Sequence, residues 1–182
     1  MDPLQKVTVV VGLGNPGEKY LYTYHNAGRL LTDHLAGNIP FSTYRNFSYC
    51  RLGKITIVKT ETFMNESGGA VAAALSFLKA KPANLLLIHD DSDQTLGHSK
   101  TVLDGGAGGH HGVESVIAAL GTDAFPRFKV GVRPPATPNA PASTKKRLRA
   151  EKFVLKKMSP AARDLIYGAG ASLIKKLKLN ET

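Results

Sequence analysis

Four short segments concentrate side chains that could do chemistry. The first, Gly12-Leu13-Gly14-Asn15-Pro16-Gly17, follows a strand-like run and fits the spacing G-x-G-x-x-G, the pattern of a dinucleotide-binding turn. Pro16 stands where the phosphate-binding helix would begin, and Glu18 to Tyr24 has poor helical patterning. A tight turn that leaves Asn15 at the carboxyl end of a strand, where α/β sheets present ligand sites, is therefore the stronger reading. The second is Tyr24-His25-Asn26-Ala27-Gly28. An exposed imidazole there, with a pKa near ~6.5, can accept a proton at neutral pH, although a lone histidine is more often a surface or capping residue.

The third segment, Phe63-Met64-Asn65-Glu66-Ser67-Gly68-Gly69, leads into a helix. Asn65 either caps that helix or points into a cleft. Ser67 lacks the G-x-S-x-G elbow of a nucleophile and reads as a cap. The fourth opens with His89-Asp90-Asp91-Ser92-Asp93 and runs on through Lys100 to the glycine run Gly105-Gly106-Ala107-Gly108-Gly109-His110-His111-Gly112. Carboxylates after a strand can orient a histidine, bind a metal or solvate a loop. The glycines allow backbone N–H groups close to a phosphate or carbonyl. A metal site drawn from His89, Asp90, His98, His110 and His111 is an alternative, but neither H-E-x-x-H nor any cysteine pair is present, and no metal or cofactor is expected.

These segments need elements to hold them. Val7 to Leu13 is a continuous apolar run that predicts a buried strand, as do Leu85 to His89 and Phe128 to Val132. Ala27 to Ala36, Ser67 to Leu78 and Val113 to Leu120 predict helices, with Pro82 stopping the second and Gly121 ending the third. Tyr49 to Leu52 and Ile55 to Lys59 flank Gly53-Lys54 as a hairpin. A last helix spans Pro160 to Leu177, with Ser159 as N-cap. Alternating strands and helices predict one α/β domain over residues 1–182 with a mixed, twisted sheet flanked by helices. Pro134 to Lys152, rich in proline and then in lysine and arginine, predicts a mobile basic loop.

No apolar stretch approaches the roughly 20 residues that span a bilayer. No signal-like segment precedes the first strand, and Cys50 is the only cysteine. A cytoplasmic address is the simplest expectation. The net charge of +10 is unevenly distributed: residues 126–182 hold 14 Lys/Arg against 3 Asp/Glu, a net of +11, whereas residues 1–125 hold 10 against 11. A polyanionic partner would feel that field, although basic surfaces also serve solubility.

Taken in order, the segments resemble the bacterial-type peptidyl-tRNA hydrolases, whose pattern runs G-L-G-N-P-G, H-N-x-G, F-M-N-x-S-G, H-D-[ED]-x-D and a glycine run ending G-H-N-G. Here these are Gly12 to Gly17, His25 to Gly28, Phe63 to Gly68, His89 to Asp93 and Gly105 to Gly112, a match over roughly Val7 to Val132 with an echo at Phe153-Val154-Leu155. The resemblance implies a single-domain, usually monomeric esterase acting on peptidyl-tRNA. His25 would be the catalytic base and Asp90 the residue that holds its imidazole. Asn15 and Asn65 would bind substrate near the scissile ester, and Met64, Asn26, Tyr20 and His111 would line the site. Lys100 and Lys129, with Arg127 nearby, would clamp a tRNA phosphate. This chain departs from the pattern at His111, where asparagine is usual, at Val102, where a basic residue is expected, at Lys129, where arginine is common, and at Ser92, where leucine is usual.

Three hypotheses follow. The first is a metal-free peptidyl-tRNA hydrolase. The second is a hydrolase-like RNA-binding protein with reduced or lost catalysis, motivated by His111 and the altered clamp. A nucleotide-dependent oxidoreductase is the third, resting on the Gly12 motif alone.

Overall fold

The computed structural model describes residues 4–135 and 153–177. Its strands are β1 (Val9–Gly12), β2 (Ser42–Tyr44), β3 (Phe47–Leu52), β4 (Ile55–Thr60), β5 (Leu85–Thr95), β6 (Ser99–Val102) and β7 (Arg127–Arg133). They form one mixed sheet in the order β2-β3-β4-β1-β5-β7-β6. β4, β1, β5 and β7 are mutually parallel. β3 and β6 run against them, and β2 closes the far edge antiparallel to β3.

Side-chain alternation along β5 explains the layers. Leu86 and Ile88 pack with α1 (Ala27–Ala36) and α4 (Pro160–Lys176), through Leu31 and Ile166. Leu85 and Leu87 pack on the opposite face with α2 (Ser67–Phe77) and α3 (His111–Leu120), through Val71 and Val113. Successive residues of a strand point to opposite faces, so one strand buried on both sides reads as an unbroken apolar run.

Two close approaches set the site. A Cβ on Gly28 would lie 2.3 Å from the Ile88 carbonyl oxygen and 2.8 Å from that of Leu13. Only a residue without a side chain lets α1 cross directly over the ends of β1 and β5. A Cβ on Gly112 would lie 2.4 Å from Met64 Sδ, so the start of α3 rests on that methionine.

Several expectations are corrected. β5 does not stop at His89 but runs to Thr95, because β7 pairs beside it as far as Asp91 opposite Gly131 and, past an irregularity, Thr95 opposite Arg133. The acidic segment is therefore strand, not loop. β6 had no apolar alternation to announce it, being a polar edge strand of Ser99-Lys100-Thr101-Val102. Ser67 is not a cap: it is fully buried, and its Oγ has no partner among the described residues. α2 ends at Phe77, ahead of Pro82, where Lys79 takes a positive φ of 53°. Gly121 does end α3 with φ 66°, and Ser159 Oγ does accept from the Ala162 N–H at 3.2 Å. All of the expected basic loop except Pro134 and Pro135 lies outside the described residues.

Candidate active site

After β1 the chain turns through a 3-10 segment at Glu18–Tyr20 rather than entering a long helix. Dinucleotide sites place the pyrophosphate at a helix N-terminus, and none begins there. Instead the turn is tied to the residues beside His25. The Asn15 backbone N–H donates to Asn26 Oδ1 at 2.8 Å, and Asn26 Nδ2 donates back to the Asn15 carbonyl at 2.9 Å. Asn15 Oδ1 accepts from the Met64 N–H at 2.8 Å. One asparagine pair thus fixes three of the four segments against each other.

His25 lies in the 3-10 turn Tyr24–Asn26, immediately before α1. It is not exposed as expected: its side chain is 16% accessible and that of Asp90 only 3%. His25 Nδ1 lies 2.9 Å from Asp90 Oδ1 and 3.1 Å from Oδ2. His110, the N-cap of α3, places Nε2 2.8 Å from the same Oδ1 and accepts the Val113 N–H on Nδ1 at 3.3 Å. An ionised carboxylate only accepts hydrogen bonds, so both facing ring nitrogens carry protons. In the neutral ring this leaves His25 Nε2 bare and commits both nitrogens of His110.

The electrostatics follow from that geometry. Burial disfavours the Asp90 carboxylate, yet the two imidazoles outweigh it by charge and hydrogen bond and hold it well below the ordinary carboxylate range. Burial likewise disfavours a charged His25, but the Asp90 charge and hydrogen bond prevail and raise its pKa above the usual histidine value. His89 behaves oppositely. Burial first, and then His110, push it down to about 3. Its Nδ1 donates to the Asp90 backbone carbonyl at 2.7 Å, while Nε2 has no partner among the described residues.

His25, Asp90 and His110 also form a set whose ligand atoms lie within 4.8 Å of one another. For an ion to enter, both rings would have to exchange tautomer, and His110 would give up the Val113 bond. The observed arrangement suits proton handling better than coordination.

A cavity of about 190 Å³ opens at this cluster, lined among others by His25, Gly108, Gly109, His110, Lys129 and Val154. Gly108 and Gly109 both take positive φ, a conformation that glycine adopts without strain. Met64 is buried at 5%, while Asn65 is exposed. Tyr20 meets the half-exposed Phe63 edge-on at 6.3 Å.

Three residues expected at the substrate are placed differently. Asn26, 1% exposed, spends its amide on the Asn15 backbone and positions the turn rather than lining the site. His111 borders the cavity, but its side chain is 74% exposed and reaches Glu114 at 3.1 Å. Arg127 is 2% exposed. It donates Nη1 to the Gly106 carbonyl at 3.0 Å and Nη2 to the Gly105 carbonyl, so it braces the glycine run from beneath instead of meeting a phosphate. Lys129 and Lys100 do lie together, 3.0 and 3.9 Å from Asp91 Oδ2, with 23% and 50% exposure.

Comparison with known proteins completes the picture. A family model described as peptidyl-tRNA hydrolase matches residues 9–179. The chain belongs to the peptidyl-tRNA hydrolase family. A peptidyl-tRNA hydrolase of Aquifex aeolicus is 37% identical over 167 residues, covering 88% of this chain and 82% of that protein. One from Synechococcus sp. strain JA-3-3Ab is 43% identical over 135 residues, which is 70% of this chain and 60% of that longer relative. The crystal structure of peptidyl-tRNA hydrolase from Acinetobacter baumannii superposes with a TM-score of 0.77 at 27% identity, covering 97% of this chain and 89% of that one. The mixed sheet with helices on both faces is thus the fold of the peptidyl-tRNA hydrolases.

Proposed function

We propose that this chain carries out the reaction of its family, hydrolysis of the ester that joins a peptide or N-blocked aminoacyl group to the 3′ end of tRNA, with His25 as the general base. The observation that carries this reading is the pair of hydrogen bonds from His25 Nδ1 and His110 Nε2 to Asp90. A base needs a bare nitrogen facing the substrate and a partner that stabilises the ring once it is charged. Asp90 supplies both conditions for His25 Nε2.

The steps balance simply. His25 Nε2 takes a proton from water as the oxygen adds to the ester carbonyl. When the tetrahedral intermediate collapses, the ribose oxygen leaves and receives that proton from the imidazolium. The products are a carboxylic acid and a free ribose hydroxyl on the tRNA. An ester has a better leaving group than an amide, so base catalysis with a few polarising donors suffices, and no cofactor or metal enters a step. Lys129 and Lys100 supply positive charge for a phosphate near the tRNA terminus. We assign Asn15 and Asn65 to the substrate near the scissile ester and its tRNA end, with Tyr20 beside them. The enzyme acts as a monomer in the cytoplasm, recycling tRNA during translation. No helix among the described residues is long and apolar enough to cross a membrane.

The test is release of an N-acetylaminoacyl group from tRNA in the presence of a chelator. Turnover should be lost in His25→Ala while tRNA binding persists. Wild-type protein that binds tRNA without cleaving it would support the RNA-binding reading, for which the outward-turned His111 is the motivating observation.

A further inference from the structure

The 3-10 turn that carries His25 is held from outside by a segment far along the chain. Residues 156–158 run antiparallel to residues 22–24, and the turn before them reaches His25. Met158 N–H donates to the Tyr22 carbonyl at 2.7 Å, Tyr24 N–H to the Lys156 carbonyl at 3.2 Å, and His25 N–H to the Val154 carbonyl at 2.8 Å. Thr23 and Lys157 form a β-bridge between them. This is a single β-bridge attached to a helical turn, with one more backbone bond beyond it, and it lies outside the seven-stranded sheet.

Its construction is specific. Phe153, Val154 and Met158 are buried, whereas Leu155, Lys156 and Lys157 are exposed. The Phe153 ring meets Tyr24 edge-on at 6.2 Å, and the Arg163 guanidinium lies 4.3 Å over the Tyr22 ring. A turn closed by Lys156 N–H to the Phe153 carbonyl at 2.8 Å presents the Val154 carbonyl to His25. That same valine lines the cavity.

The His25 backbone needs this support. Asp90 fixes the ring only at Nδ1, and rotation about that hydrogen bond would swing Nε2 away from the substrate. The peptide N–H of His25 begins a turn and has no intrahelical acceptor of its own. Anchoring it to Val154 fixes the Cα from which the ring projects.

We infer that residues Phe153–Met158 form a positioning strap, in which the Val154 carbonyl sets the backbone of His25 beside the cavity that Val154 helps to line, so that seating of the strap governs kcat rather than substrate affinity. The strap residues act through His25 and touch none of the reacting atoms in the steps above. The inference rests on His25 being the base. A catalytic group displaced by about 1 Å can lose 10²-fold in rate, which sets the scale of the effect.

Lys156 offers a clean test, because its side chain is exposed while its N–H closes the turn. Lys156→Ala keeps the N–H and should retain the wild-type kcat. Lys156→Pro removes it and should lower kcat by about 10- to 100-fold with KM changed by less than about 3-fold. Amide hydrogen exchange at His25 reports the strap independently of catalysis: slow in wild type and Lys156→Ala, faster in Lys156→Pro. Fast exchange at His25 in the wild type would overturn the inference. So would an unchanged kcat in Lys156→Pro whose His25 amide has become exchangeable, or equal losses of kcat in both variants. If wild type lacks turnover altogether, the general-base reading fails, while the exchange data still show whether the strap holds the turn.

Discussion

Replacing Asp90 by asparagine separates charge and tautomer from shape. The carboxylate has three short contacts: Oδ1 with His25 Nδ1 at 2.9 Å and with His110 Nε2 at 2.8 Å, and Oδ2 with His25 Nδ1 at 3.1 Å. With the amide nitrogen at the Oδ2 position, an NH₂ group stands 3.1 Å from His25 Nδ1. In the opposite orientation it faces both rings. In that second orientation the amide donates towards Nδ1 and favours the tautomer with a bare Nδ1 and a proton on Nε2, which cannot accept a proton from water; in the first, the amide oxygen at the Oδ1 position still accepts from both rings and only the charge is lost. The charge that raises the His25 pKa against burial is also removed, so the imidazolium loses its stabilisation and the pKa should fall. In a catalytic triad the corresponding change costs about 10⁴-fold. We therefore expect a kcat loss on the order of 10³–10⁴-fold in Asp90→Asn, with KM within about 3-fold, measured by single-turnover release of N-acetylaminoacyl groups. A loss below about 10-fold in a folded variant would refute the reasoning.

Gly28→Ala places a Cβ 2.3 Å from the Ile88 carbonyl oxygen. Because backbone cannot yield cheaply, thermal unfolding should show a loss of about 1–3 kcal/mol and kcat should fall with it. Lys129→Ala should raise KM and flatten its salt dependence with little change in kcat, whereas Arg127→Ala should destabilise the protein by leaving the Gly105 and Gly106 carbonyls unpaired. Folding stability should decline as pH falls from about 6.5 towards 3, by up to about 1.4 kcal/mol per unit for one proton. The sign follows from His89, whose folded pKa lies below its unfolded value, so the unfolded chain binds the extra proton. His25, with a raised pKa, contributes in the other direction, and its contribution is lost as pH rises through the folded value. Denaturant titrations across this range should show a shallower acid decline in His89→Gln.

Much of this was legible in the chain because the signals were local. The α1 boundaries match the expected Ala27 to Ala36, and the Gly53 hairpin stands where its turn residues put it. His25 and Asp90, far apart in sequence, meet because glycine at 28 lets the helix cross the strand ends. What was not legible depends on tertiary pairing. β6 is polar and acquires its structure from β7. Arg127 reads like a phosphate ligand in sequence and is consumed by two carbonyls. In sequence His110 reads only as a candidate metal ligand; its pairing with Asp90 arises from capping α3. The strap behind His25 is marked in sequence only by the echo at Phe153-Val154-Leu155, since its bonds to the catalytic turn are backbone bonds that any residue but proline could make.

The most direct test of the account is the tautomer and titration of His25 itself, read from the ring nitrogen resonances of ¹⁵N-histidine-labelled protein. Well above its pKa, Nδ1 should be the protonated nitrogen and Nε2 the bare one. The ring should titrate above the ordinary value of about 6.5, and the acid limb of kcat/KM should follow the same pKa, rising as the ring loses its proton. A neutral His25 with its proton on Nε2, or an acid limb that does not track its titration, would contradict the assignment of His25 as the base.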